Sequence, residues 1–291
     1  MIRHTIDVLM EIHVINYGQQ EQKEGGKMST YIMTDIHGHY DDMKEMFEKI
    51  GFSADDRLIC AGDYIDKGPK SYEMLRWMEA PGENVILVRG NHDEEFACYV
   101  ELMITISKKA GLKTDDAVDT LTAYQALRQI CSYFDCYGTV RYLIQEKKVT
   151  LRRLKQWAAC IRNMPYYHEI MMDGRRCIIV HAGYVESLER LKGAQTDVSY
   201  DSLEKFYLTA RDDAYVYGGM EHGMILAGHT PTTAIDELPF NHGRVYRAYD
   251  ETTDCIFYDL DCGYGFKEGN PEARLACMRL EDEKIFYVQN G

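Results

Sequence analysis

Apolar positions along this chain fall into two rhythms. Short apolar runs occupy 31–34, 57–61 and 84–88, and each leads into a glycine or an aspartate. Runs of that length, bounded by turn residues, predict buried strands. Between them the spacing changes to three and four. Met43, Met46, Phe47 and Ile50 predict a helix over 41–50, with Asp41 and Asp42 at its positive end. Residues 71–78 predict a second helix with Ser71 as its N-cap. Strand, helix, strand, helix, strand implies βαβ units in a largely parallel sheet, whose strand carboxyl ends share one ligand-binding edge.

The strand rhythm stops between 94 and 164, where Lys, Arg, Leu, Ala and Gln dominate. Residues 123–134 and 149–161 read there as helices, either as an inserted helical cap or as helices packed on the outer face. Two further buried strands, 177–180 and 224–227, each deliver a histidine at their ends. From 245 onward the runs 245–249, 255–260, 274–280 and 284–288 read as antiparallel strands. No repeat or low-complexity segment interrupts them. Residues 1–27 read as an N-terminal extension outside the catalytic core, and 28–291 as one domain with the helical insertion at about 94–164.

Charge and cysteine content narrow the class. A formal net charge of −14 over 291 residues argues against a general nucleic-acid-binding surface. An anionic substrate would have to be drawn in locally, by metals or a cationic pocket, since Lys and Arg still number 33. The nine cysteines form no CxxC pair and several sit in strand-like runs, which predicts buried reduced thiols and a cytoplasmic setting. No apolar stretch approaches membrane-spanning length, so no membrane partner is expected.

Five segments place metal-seeking side chains beside a glycine or at the end of an apolar run. They are Asp35-Ile36-His37-Gly38, Gly62-Asp63-Tyr64-Ile65-Asp66-Lys67-Gly68, Arg89-Gly90-Asn91-His92-Asp93, Val180-His181-Ala182-Gly183 and Ala227-Gly228-His229-Thr230. Each alone is weak: Asp-x-His is common on surfaces, Gly-Asp is usually a turn, and a lone strand-end histidine is usually structural. Jointly they supply two Asp, one Asn and three His, a set suited to two divalent cations, with Asp66 and His92 to spare. Paired metals are a standard device for phosphate ester hydrolysis.

These motifs resemble those of the metallophosphoesterase superfamily, and specifically its phosphoprotein phosphatase branch of bacterial or phage type. That branch is marked by Gly-Asp-x-His-Gly, Gly-Asp-x-Val-Asp-Arg-Gly, Gly-Asn-His-Glu and two later histidines, and the resemblance spans 30 to about 263. It implies an α/β calcineurin-like fold of two packed mixed sheets flanked by helices. Residue by residue, it implies that Asp35 and His37 hold one metal, that Asn91, His181 and His229 hold the other, and that Asp63 bridges them. The expected metals are Mn²⁺ first, with Fe or Zn as alternatives. A bridging hydroxide would attack phosphorus, His92 would protonate the leaving oxygen, and Asp66 would orient His92. Lys67 stands where the family carries a phosphate-clamping Arg, keeping the charge without the planar fork. Arg211 matches a second phosphate-binding Arg of the family, and reads equally well as a surface ion-pair partner. Arg89 reads as structural.

The implied activity is hydrolysis of phosphomonoesters, first of phosphoserine and phosphothreonine on proteins, with small phosphoesters as other substrates. Tyr64-Ile65-Asp66 with Gly68-Pro69 leans that way. The alternative is a symmetrical dinucleoside polyphosphate hydrolase, which shares the metal motifs and often carries the Asp found at Asp93. A non-catalytic binding protein on the same fold is the reading from another class, and the retained Asp66 and His92 argue against it.

Overall fold

The computed structural model describes residues 28–131, 133–191, 200–216, 218–233 and 243–289. The expected extension at 1–27 lies outside them. Two five-stranded mixed sheets face one another. The first has β1 (Thr30–Met33) at its centre, with β2 (Arg57–Ala61) and then β3 (Val85–Val88) parallel on one side. On the other side β9 (Arg274–Arg279) pairs antiparallel with β1, and β10 (Lys284–Gln289) pairs antiparallel with β9. The second sheet has the order β4 (Tyr167–Met172), β5 (Arg175–Val180), β6 (Gly223–Ala227), β8 (Cys255–Asp259) and β7 (Tyr246–Asp250). The C-terminal strands are thus not wholly antiparallel, because β8 runs parallel to β6.

The two-residue period of a strand sorts the core into layers. Ile32, Ile59, Val88 and Met278 meet Cys177, Ile179, Leu226 and Tyr258 between the sheets. The alternate positions of the first sheet, Tyr31, Met33, Leu58 and Cys60, face the helices α1 (Tyr40–Ile50) and α2 (Ser71–Met78). The outer face of the second sheet, with Ile178, Val180 and Ile225, packs on α7 (Leu203–Thr209) and α8 (Asp212–Val216).

Four helices fill the stretch where the strand rhythm stops: α3 (Asn91–Ala110), α4 (Ala117–Ile130), α5 (Tyr137–Gln145) and α6 (Leu151–Arg162). Their Phe96, Val100, Leu127, Val140, Leu143 and Trp157 join the same core as α1 and α2. Ser71 does not cap α2. It is the first residue of the helix, and its Oγ accepts the Asp66 N–H at 3.1 Å. All nine cysteines are free thiols. No helix among the described residues is long and apolar enough to cross a membrane.

Candidate metal centre

Every one of the five segments lies just beyond the carboxyl end of a strand. Asp35 and His37 follow β1, Asp63 and Asp66 follow β2, Asn91 and His92 begin α3 after β3, His181 follows β5 and His229 follows β6. The loops continue the strand pairing past the sheet: Asp35 N–H donates to Gly62 O at 3.1 Å and His37 N–H to Asp63 O at 2.8 Å. Two glycines make the convergence possible. A Cβ on Gly90 would stand 2.2 Å from the Asp63 nitrogen, and one on Gly62 would stand 2.5 Å from Gly90 Cα. Any side chain at either position would push the second and third loops apart.

Asp63 is the common member of two clusters, His37 with Asp63 and His92, and Asp63 with His181 and His229. Its Oδ2 lies 3.5 Å from His37 Nε2, and its Oδ1 lies 3.4 Å from His181 Nε2. Asn91 Oδ1 is 2.8 Å and His229 Nδ1 is 3.2 Å from that same His181 nitrogen. The Nδ1 atoms of His37 and His181 meet the backbone carbonyls of Ile65 and Ala61, at 3.0 and 2.8 Å. A carbonyl only accepts, so both rings carry a proton on Nδ1 and turn Nε2 inward. Burial holds His37 down to about 3, against the opposing pull of Asp63, and drives His229 well below the usual imidazole range. Neutral imidazoles are the form that ligates metal.

The donor set fits divalent cations. Around His181 Nε2, the acceptor oxygens of Asn91 and Asp63 and the His229 Nδ1 atom all lie within 3.4 Å, an oxygen and nitrogen set of the kind that holds a cation. Asp35 adds a second sign. Its Oδ2 accepts from Thr34 Oγ1 at 2.6 Å and from His229 N–H at 3.0 Å, whereas its buried Oδ1 meets no donor and points towards His37 Nε2 at 3.7 Å. Thr34, where the family pattern has glycine, thus steadies the first carboxylate. Burial raises the Asp35 carboxyl from the ordinary range, and for Asp63 four surrounding imidazoles outweigh burial and lower it.

Outside these ligand-type atoms, His92 Nδ1 donates to Asp66 Oδ2 at 2.8 Å, leaving Nε2 facing Asp63 Oδ2 at 4.0 Å. Burial opposes charge on His92, but Asp63 and Asp66 prevail and push it up to about 9. Lys67 is exposed. Its Nζ lies 2.9 Å from His37 Nε2 and 4.3 Å from the centre of the Phe266 ring. Arg211 is exposed too and reaches the His229 carbonyl at 3.4 Å. Arg89 is buried, stapling its loop to the end of α6 through Arg162 O at 2.6 Å and Met164 O at 2.9 Å.

Three features of the centre go beyond the roles read from the five segments. Asp93 sends Oδ2 to the N–H groups of Asp63 and Gly90, both at 2.9 Å, and Oδ1 to Tyr64 N–H at 3.2 Å. Asp259 ends β8, the strand beside β6, and Asp261 stands just beyond it, and burial raises both carboxyls well above the ordinary range. Tyr-Asp-Leu-Asp-Cys-Gly there repeats the pattern of an apolar run, a carboxylate and a glycine. The third is Thr139 of α5, whose hydroxyl donates to Asp66 Oδ1.

Residues 28–233 match the model of the calcineurin-like phosphoesterases. The chain belongs to that family. It is a metallophosphoesterase, and the family's use of divalent metals agrees with the donor set above. Among curated proteins, it is 45% identical over 87 residues to a symmetrical bis(5'-nucleosyl)-tetraphosphatase of Buchnera aphidicola subsp. Baizongia pistaciae, covering 29% of this chain and 31% of that protein. A protein of the same name from Actinobacillus pleuropneumoniae serotype 5b is 33% identical over 97 residues, covering 33% of this chain and 34% of its own length. The matched stretch is therefore about a third of these curated relatives. Among solved structures, a chain named as a candidate diadenosine tetraphosphatase superposes with a TM-score of 0.50 at 16% identity, covering 91% of this chain and 94% of that one, which speaks for the fold.

Proposed function

We propose that the metallophosphoesterase centre hydrolyses a symmetrical dinucleoside polyphosphate. The observation that carries the chemistry is Asp63, whose two oxygens serve one nitrogen cluster each. The substrate class rests on the local identity with relatives named as symmetrical bis(5'-nucleosyl)-tetraphosphatases. Asp35, His37 and Asp63 would hold one cation, and Asp63, Asn91, His181 and His229 the second, with Mn²⁺ as the expected metal. Bound there, the pair supplies Lewis-acid polarisation of phosphoryl oxygens and lowers the pKa of water.

The chain's own groups do the rest. With Asp63 and Asp66 favouring its charged form and Nδ1 committed to Asp66, the His92 imidazolium would hold its second proton on Nε2 for the leaving oxygen. The Lys67 ammonium competes with a cation for His37 Nε2, so loading the site frees Lys67 to bind phosphate oxygens from its exposed position. Arg211 stands on the His229 side as a second phosphate-binding cation. Hydrolysis of phosphoserine or phosphothreonine is the second reading, supported by the Tyr64-Ile65-Asp66 and Gly68-Pro69 pattern.

Purified chain with Mn²⁺, given diadenosine tetraphosphate and a phosphopeptide panel in parallel, separates the two. Release of ADP as sole nucleotide product, with phosphopeptides untouched, is the expected result. Dephosphorylated peptide without ADP would replace this reading with the second.

A further inference from the structure

The helices between β3 and β4 meet the reaction centre through a hydroxyl. Thr139 lies in the first turn of α5 and donates to Asp66 Oδ1, while Asp66 Oδ2 holds His92 Nδ1 at 2.8 Å. Both carboxylate oxygens are therefore engaged, one by the imidazole and one by the helix. Asp66 is itself held from behind, its N–H donating to Ser71 Oγ.

The position of α5 is set by the helix that carries His92. Cys136 N–H, just before α5, accepts no freedom of its own: it donates to Glu95 Oε1 at 2.8 Å, and Glu95 sits three residues after His92 on α3. The Tyr137 ring packs edge-on against Tyr99 of α3 at 5.3 Å. Val140, Leu143 and Ile144 bury the other side of α5 in the helical core. A closed circuit results, running from His92 to Asp66, to Thr139, along α5 to Cys136, and through Glu95 back to α3.

We propose that Thr139 is a positioning residue for the Asp66–His92 pair, through which the helical stretch fixes the direction in which His92 presents its proton. The terminal torsion of an aspartate is soft. A carboxylate bonded by the imidazole alone rocks with it, whereas a second donor on the opposite oxygen locks its plane and hence the ring. Losses of this kind, at a group one bond removed from the working residue, lower activity about 10-fold to 100-fold.

This inference rests on the reading of His92 as the proton donor, and the test keeps the two apart. Thr139→Val deletes the hydroxyl and keeps the shape, Thr139→Ser restores the hydroxyl, and Thr139→Ala is a second deletion should the valine fail to fold. Each is measured with Mn²⁺ on diadenosine tetraphosphate, or on the phosphopeptide if that is the substrate turned over, alone and combined with His92→Asn. The valine variant is expected to lower kcat about 10-fold, with KM within about 2-fold and full metal content, and the serine variant to recover most of it. In the His92→Asn background, Thr139→Val is expected to cost nothing further, as for residues acting as a unit. A deletion that leaves kcat unchanged, or cuts it equally in both backgrounds, overturns the role of Thr139. A His92→Asn variant with undiminished kcat overturns the proton-donor reading instead.

Discussion

Asp93 is fully buried and holds the second and third loops of the centre together, so its removal should cost stability in a graded way. In Asp93→Ala, three backbone N–H groups, those of Asp63, Tyr64 and Gly90, lose their acceptor. An unsatisfied buried donor costs about 1–3 kcal/mol. Three would cost about 3–9 kcal/mol, and entry of water into the small space left behind puts the expectation at the lower end, about 3–5 kcal/mol. Asp93→Asn differs: its amide oxygen can stay at the Oδ2 position and keep two donors, while the NH₂ faces the Tyr64 N–H. One bond is lost, but the repulsion from the Asp63 carboxylate, which together with burial pushes Asp93 up to about 7, is lost as well. The net is about 1 kcal/mol.

The assay is urea unfolding in excess EDTA at fixed pH, so that metal affinity does not enter. The midpoint should fall in the order wild type, Asn, Ala, with the slope unchanged. An alanine variant within about 0.5 kcal/mol of wild type, the range of an ordinary surface change, would refute the role assigned to Asp93.

Stripping metal with EDTA should abolish turnover and lower Tm, and Mn²⁺ at about 100 times its Kd should restore about 2.7 kcal/mol. Asp35→Asn should shrink that rise, and a variant with wild-type Mn²⁺ stabilisation would remove Asp35 from the ligand set. His92→Asn should lower kcat by about 10²–10⁴ while metal analysis of the purified variant still gives the wild-type content; loss of metal would mark His92 as a ligand. Gly265→Ala would place a Cβ 2.5 Å from His37 Cδ2 and 2.9 Å from Lys67 Cδ, displacing a fully packed ring. Weakened Mn²⁺ binding by calorimetry is expected, and unchanged affinity would show that the loop around Phe266 yields.

The strands that read as unbroken apolar runs were legible, the edge strand β3 among them. Residues 57–61 form as expected, and β1, β3, β5 and β6 differ by a residue or two at their ends. The edge strand β4 was not, since Tyr-His-Glu-Ile-Met-Met alternates exposure and carries a charge where a core strand would not. Nor was α3, which begins inside a ligand loop at Asn91, so that a metal motif and a helix start share the same residues. The helix expected at 123–134 forms as Ala117–Ile130, capped by Asp116, whose carboxylate takes the Val118 and Asp119 N–H groups. The five segments announced the ligand-type residues because each joins a coordinating side chain to a strand end. Thr139 carried no such signal: its partner Asp66 lies 73 residues away, and only the packing of α5 on α3 brings them together.

The loops carrying these residues also explain why the motifs are so dense in Asp and His. Asp35, His37, Asp63, Asp66, Lys67 and His229 all have φ between +47° and +71°, the left-handed region that ordinary residues avoid. Glycine would remove the strain but also the side chain that the proposed centre uses. At about 1 kcal/mol each, six such residues would cost about as much as a small domain's whole stability. The offset is visible in the backbone. His37 N–H, Gly38 N–H and Gly68 N–H are bonded to Asp63 O, Tyr64 O and His37 O at 2.8, 2.7 and 2.8 Å, lacing the first two loops into an extension of the sheet. The strain therefore belongs to a pair of loops that hold each other, and the site's precision depends on that lacing as much as on any one ligand. Relieving the strain by Lys67→Gly, the one left-handed non-glycine position of the second loop outside the expected ligands and acid pair, should raise the urea midpoint. Turnover should fall in the same variant, and a gain in both would show that the conformation serves only the fold.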